Sequence, residues 1–274
     1  MEQLSWWDTI VVMMLGIQPV QETHNMPSWP QHMMQSKRDE FRVGAQKQLE
    51  AFSWQTQNPA WLEALKVRQT ALPKPKRQVL SMRLHASDKV DEHLTNHLTL
   101  NMTVKPHTQS ELWLVNTHVN MVFFKHAFDN QAQTLWQPWL GVIRGWNDSK
   151  VESELWRTTQ LSAWQQPLQD GSLPRHLTFE HHTSNQSLTN WLPKKNLIRS
   201  DCKVSEPYLG TRVHANIQGK VQLVTCERVF NGKPLFPMQS LYLMDYQFHL
   251  PTADHLFDRR WQWRISEFQD ALMD

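Results

Sequence analysis

From Arg212 to Leu223 the residues alternate almost without a break. The odd positions are Val213, Ala215, Ile217, Gly219, Val221 and Leu223; the even ones are Arg212, His214, Asn216, Gln218, Lys220 and Gln222. Successive side chains of a strand point to opposite faces, so the pattern predicts a strand over 212–224 with its odd positions buried. A one-residue slip would bury Arg212, His214 and Lys220. One dry face and one wet face mark an antiparallel sheet solvated on one side.

The same period recurs along the chain. Leu98, Leu100, Met102 and Val104 alternate with Thr99, Asn101, Thr103 and Lys105. Pro106–Ser110 reads as a turn, and a second strand follows from Leu112 to Phe124, making a hairpin. A further hairpin joins 154–164 to 175–181 through Asp170-Gly171. Beyond 224 come an Asn231-Gly232 turn, a strand at 241–250 and another at 260–266. In the first of these, Tyr242, Met244, Tyr246, Phe248 and Leu250 share a face; in the second, Trp261, Trp263 and Ile265 do. Helical signals concentrate before residue 75. Ser36 is placed to cap a helix through Phe41, Val43, Leu49 and Phe52, and Asn58-Pro59 to open one over 61–66. Residues 72–77 form an extended basic connector. The expected fold is therefore α+β, mainly antiparallel sheet, with helices in the N-terminal third. Residues 1–75 form a strand-and-helix region and 76–274 a β-rich region, as two parts or one continuous domain.

Bulk properties exclude little. The formal charge is +2, which demands neither nucleic acid nor an acidic membrane as partner. No stretch approaches the roughly 20 apolar residues of a membrane span. Residues 10–17 are apolar but short, and Glu2 and Asp8 precede them without a basic residue, so they read as a buried strand rather than a signal peptide. The two cysteines, Cys202 and Cys226, are too few for a metal framework. They form one disulfide in an exported protein or two free thiols in the cytoplasm.

Chemistry-bearing motifs are scarce. His176, His181 and His182 lie near Glu180, but on a strand His176 and His182 are about 20 Å apart and His181 faces the other way, so no metal is expected. There is no glycine elbow around a serine, no phosphate-binding glycine loop and no assignable acid–base pair. No catalytic residue and no cofactor are expected. Fourteen tryptophans stand beside three tyrosines. Trp136, Trp139 and Trp146 cluster with Pro138, Gly141 and Gly145 in a segment that reads as a loop between hairpins. Indoles on such a loop stack on sugars or nucleobases; the alternative is a lid folded over the sheet. Trp136, Trp139, Trp146 and Trp164 are the candidate ligand-binding residues.

Three short stretches carry a resemblance: Asp8–Val12 leading to Ser28-Trp29-Pro30, Ala163-Trp164-Gln165-Gln166-Pro167, and Gln218–Leu223. With Arg259-Arg260 before Glu267, the chain resembles the CsiV family of periplasmic peptidoglycan-binding proteins. The Asp-His-Pro element of that family's C-terminal part is missing here. The resemblance implies a periplasmic, non-enzymatic protein that binds glycan or another wall protein. The expected function is thus a binding or assembly protein of the bacterial envelope, periplasmic if an export signal was removed and cytoplasmic otherwise. The rivals are a nucleic-acid-binding subunit of a larger complex and an enzyme whose residues converge only in three dimensions.

Overall fold

Among the described residues, thirteen strands pair in one antiparallel sheet. The computed structural model describes residues 31–52, 74–89, 95–107, 112–123, 126–137, 141–149, 153–162, 167–187, 194–256 and 259–273. Among these residues one helix, α1 (Gln31–Glu50), precedes the sheet. Its first strands are β1 (Arg77–Lys89), β2 (Thr95–Pro106), β3 (Trp113–Phe123) and β4 (His126–Gln137). They are followed by β5 (Gly141–Ser149), β6 (Ser153–Ser162), β7 (His176–Ser187) and β8 (Lys194–Val204). The last are β9 (Tyr208–Leu209), β10 (Lys220–Phe230), β11 (Lys233–Leu243), β12 (Phe248–Leu256) and β13 (Arg259–Leu272).

Each strand from β1 to β8 pairs with the next; β8 then pairs with β10, and β10 through β13 continue in order. Because β13 pairs with β1, from Arg77 opposite Leu272 to Ser87 opposite Gln262, the ring closes. The short β9 adds to β10 through Lys220 and Val221. Setting β9 aside leaves twelve strands in the ring, and an even number is what an up-and-down ring needs for its last strand to meet its first antiparallel. Closure removes the unpaired edges that an open sheet would offer to other chains.

The expected α+β architecture, dominated by antiparallel sheet, is what forms. The β2–β3 hairpin appears with Pro106 opposite Trp113. Asn231 and Gly232 take φ of 48° and 83° and join β10 to β11, the positive pair that a tight hairpin of this twist requires. The β6–β7 pairing also holds, with Ser162 opposite Glu180. The helix begins before Ser36, so Ser36 does not cap it. The proposed strand at 10–17 and the helix at 61–66 fall outside the described residues.

Two expectations are corrected. Residues 210–219 are not strand: Gly210–Arg212 form a 3-10 turn, further turns follow, and the strand starts at Lys220. Ile217 is buried all the same. Gly219, at φ 77°, lies so close to Asp245 that a Cβ would collide with its carboxylate, which stops the extended path there. Within β10, burial does not favour odd positions: Val221, Gln222, Val224, Cys226 and Arg228 are all buried. Likewise 241–250 is not one strand. A 3-10 turn at Met244–Tyr246, with Gln247 at φ 50°, folds it into a hairpin that sets Leu243 opposite Phe248.

The physical reason is that this part of the sheet has apolar partners on both faces. Val221, Leu241, Leu243, Phe248 and Leu250 join Met82, Leu84, Leu98, Leu100, Val115 and Val119 in one core. Val224, Cys226 and Tyr242 join Leu114, Leu135, Trp146 and the helix residues Ala45, Leu49 and Phe52 in another. With both faces dry, strict alternation has no force. On β1 to β3 the second face is instead polar and at least partly exposed, with Arg83, His85, Asn101, Thr103, Lys105, His118 and Asn120. A lipid-facing barrel strand would carry apolar residues there.

Charged groups pin the parts together. Arg77 Nε and the Tyr246 hydroxyl both donate to Asp270 Oδ2, each at 2.5 Å, across the β1–β13 closure. Burial pushes the Asp270 carboxyl up, but the bonds from Arg77 and Tyr246 outweigh it and hold it below the usual range. Burial, with the Asp270 bond, pushes the Tyr246 hydroxyl up to about 12. The helix is held at both ends. Arg38 grips buried Asp148 of β5 through Nε at 2.8 Å and a second nitrogen at 3.0 Å. His107 Nε2 sits 3.0 Å from the Leu49 carbonyl oxygen near the helix C-terminus. Arg42 Nε also lies 3.6 Å from Asp148 Oδ2 and stays when Arg38 is removed. Arg38→Ala is therefore expected to cost about 2 kcal/mol of unfolding free energy, the worth of hydrogen bonds to a charged group, and hydrogen exchange should speed up across α1 and β5 before the rest of the sheet.

Candidate binding site

From β3 to β10 one face of the sheet is buried and yet polar. Its register can be followed strand by strand. Thr117 lies opposite Ala132, with Asn130 and Thr134 flanking it on β4. Thr134 is opposite Gly145, and Gly145 is opposite Trp156, two residues before Thr158. Thr158 is opposite Thr183; two residues on, His181 is opposite Ile198; two further, Ser200 is opposite Arg228. Thr117, Asn130, Thr134, Thr158, His181, Thr183, Ser200 and Arg228 are all buried. The opposite face of the same strands carries exposed residues such as Asp129, Gln131, Arg157, Thr178, Arg199, Asp201 and Glu227. The polar face is therefore not the solvent face.

Buried polar groups cost free energy unless bonded. The Thr117 and Thr183 hydroxyls, each on a residue 3% exposed, have no hydrogen-bond partner among the described residues. Such a group costs about 1–3 kcal/mol, whereas valine, of the same shape, would carry no such cost. Arg228 is 2% exposed and keeps its charge at any physiological pH. Burial, with His182 adding to it, pushes the His181 imidazole down to about 4, so it is neutral at pH 7 and offers one donor and one acceptor. Among the described residues, this face thus carries hydroxyls, an amide, a neutral imidazole and, at its β10 end, a guanidinium. One step further along both strands, Cys202 and Cys226 are paired opposite each other and joined by a disulfide.

The tryptophan candidates fall elsewhere. Residues 135–137 and 141–146 are strand where a loop was expected: Trp136 lies in β4, one residue before its end, and Trp146 lies in β5. Trp136 is 3% exposed and stacks on Phe248 at 4.8 Å between ring centroids. Its indole N–H donates to Thr134 Oγ1 at 2.7 Å. Trp146 is 7% exposed and packs in the core that includes the helix. Both are core residues in place of the exposed stacking surface expected, because strand pairing continues to Gln137 and resumes at Gly141. Trp139 and Trp164 lie outside the described residues. The histidines divide as alternation requires: His181 is buried, and His176 and His182 turn to the other face. Among the described residues, no three of His, Cys, Asp and Glu are grouped so as to hold a metal.

Two outcomes follow. Trp136→Ala removes a stacked ring from the core, and should lower unfolding free energy by about 3–5 kcal/mol, read by denaturant titration. His181 has a lower pKa folded than its ordinary 6.5, so the unfolded chain binds the proton first. Its contribution is complete above pH 6.5 and is lost as pH falls toward 4, a difference of about 3 kcal/mol. His181→Gln should flatten that part of the profile of melting temperature between pH 7 and 4.5.

No known family profile matches the chain, and no curated protein does. Among solved structures, the chain is similar to a β-barrel-like protein of Brucella abortus, described as a domain of unknown function, DUF1849. The identity is 10%, the TM-score is 0.47, and the match covers 73% of this chain and all of the other.

Proposed function

We infer that this chain is a non-enzymatic binding or assembly protein of the bacterial envelope. The observation that carries the reading is the buried bridge between Cys202 and Cys226, which uses both cysteines of the chain. Disulfides persist in oxidising compartments, the bacterial periplasm among them, and are rare in the cytosol. The bridge links residues 24 apart in sequence, a closed loop worth about 3 kcal/mol in the chain-entropy account. A protein that relies on it for stability is suited to a compartment that keeps it closed. The resemblance to the CsiV family supports the same compartment and suggests peptidoglycan or a wall protein as partner. The buried polar face supports binding: its Thr117 and Thr183 hydroxyls have no hydrogen-bond partner among the described residues.

The test has two parts. Protein exported to the periplasm of a bacterial host is denatured and its thiols counted; none is expected before reduction and two after. Two reactive thiols before reduction would remove the basis for the compartment. The folded protein is then sedimented with peptidoglycan sacculi and, separately, mixed with single-stranded nucleic acid. Co-sedimentation with sacculi is expected. Retention by nucleic acid alone would replace this reading with that of a nucleic-acid-binding subunit.

A further inference from the structure

We propose that the open cleft at the ring closure, between β1, β13 and the turns before β10, docks an extended, uncharged peptide segment with apolar side chains. The proposal does not rest on the envelope reading. The cleft measures about 610 Å³ and is lined by Arg77, Leu80, Asn216, Gln218, Gln269 and Asp270, together with Phe268. That volume falls in the range of ligand sites. Its apolar groups are placed there by the backbone. Val79 pairs with Asp270 and Ser81 with Gln269, so Leu80 is the extra residue of a β-bulge. A bulge re-aims a side chain: Val79 is buried, whereas Leu80 is 40% exposed at the cleft. Leu272 follows Phe268 and Asp270 on one face of β13 by alternation and is 72% exposed. Met273, beside it, is exposed too. Large apolar side chains left in water together mark an interaction surface.

The polar groups of the cleft narrow the occupant. Asn216, Gln218 and Gln269 are all exposed there. Asn216 Nδ2 donates to the Phe268 carbonyl oxygen at 3.1 Å, and Gln269 Oε1 accepts from Ser81 Oγ at 3.1 Å. The Asn216 amide oxygen, the Gln269 amide nitrogen and the whole Gln218 carboxamide have no protein partner among the described residues. A side-chain carboxamide donates and accepts, as a peptide group does. Arg77 and Asp270, paired at 2.5 Å, cancel each other's charge, so the lining favours neither a cation nor an anion. A sugar would use the carboxamides and leave the leucines in water. An acyl chain would cover the leucines and leave the carboxamides unmet. An extended peptide offers main-chain amides for the one and alternate side chains for the other.

The probes are capped pentapeptides, acetyl-Gly-X-Gly-X-Gly-amide, with X as leucine, valine, phenylalanine, lysine or aspartate, together with maltose and laurate. Each is titrated into the full chain and followed by calorimetry. An apolar peptide of the set is expected to bind saturably, about ten-fold more tightly than the lysine and aspartate forms, as burial of one large apolar side chain implies. Methylating its glycine nitrogens should weaken binding several-fold. Gln218→Ala and Leu272→Ser should each do the same; both residues are exposed, so the melting temperature of the unliganded protein should not move. No saturable binding by any apolar peptide, equal binding of the charged forms, or binding untouched by Gln218→Ala or by Leu272→Ser would each overturn the proposal. Saturable binding of maltose or laurate without peptide binding would overturn it in favour of a sugar or an acyl chain.

Discussion

Ring closure between β1 and β13 is the constraint on which the rest of the structure depends. A sheet of this many strands left open would twist and expose two long edges. Here the two strands that would have been edges complete each other, and Asp270 anchors the junction. Its carboxylate takes one donor from Arg77 at the start of β1 and another from Tyr246 in the turn between β11 and β12. The Tyr246 oxygen in turn accepts from the Gln218 backbone N–H at 3.2 Å. One carboxylate therefore ties together the closure, the β11–β12 turn and the irregular segment before β10.

That irregular segment explains the division between the two cores. Once the chain has turned at 210–219, β10 and β11 enter with apolar groups on both sides. Leu241 and Leu243 serve one core while Tyr242 serves the other. The helix supplies the second core with Ala45, Leu49 and Phe52, and Asp148 fixes the helix against β5. The face that carries Thr117 and Arg228 runs into β10 itself and is buried there beside apolar Val224 and Cys226.

What the sequence disclosed follows from these causes. Hairpins with a local turn signal were legible: Asn231-Gly232, and the alternation through Leu98–Val104 into the next strand. The alternation at 212–219 misled because it records which residues touch a core, not the path of the backbone; Ile217 is buried from a turn as thoroughly as it would be from a strand. The tryptophans misled because Pro138 and the glycines of 141–145 suggested a loop, whereas Gly145 sits within a paired strand. The polar face left a faint signal: Thr117, Ser200 and Arg228 each hold the same parity as buried apolar neighbours, Val115 and Val119, Ile198 and Cys202, Val224 and Cys226. A polar residue at a position that should be dry reads as noise in one strand. Only the register shows that such residues lie side by side.

The closure also fixes an order of events. Arg77 and Asp270, which meet across it, stand 193 residues apart in the chain. The first strand of the ring must therefore wait, one edge unsatisfied, until the last has been delivered. Until the two meet, the sheet has unpaired edges, and contacts over such separations form slowly. Passage through this unfinished ring, more than the stability of the finished one, is where the chain is most exposed to pairing with copies of itself and where an escort has most to protect.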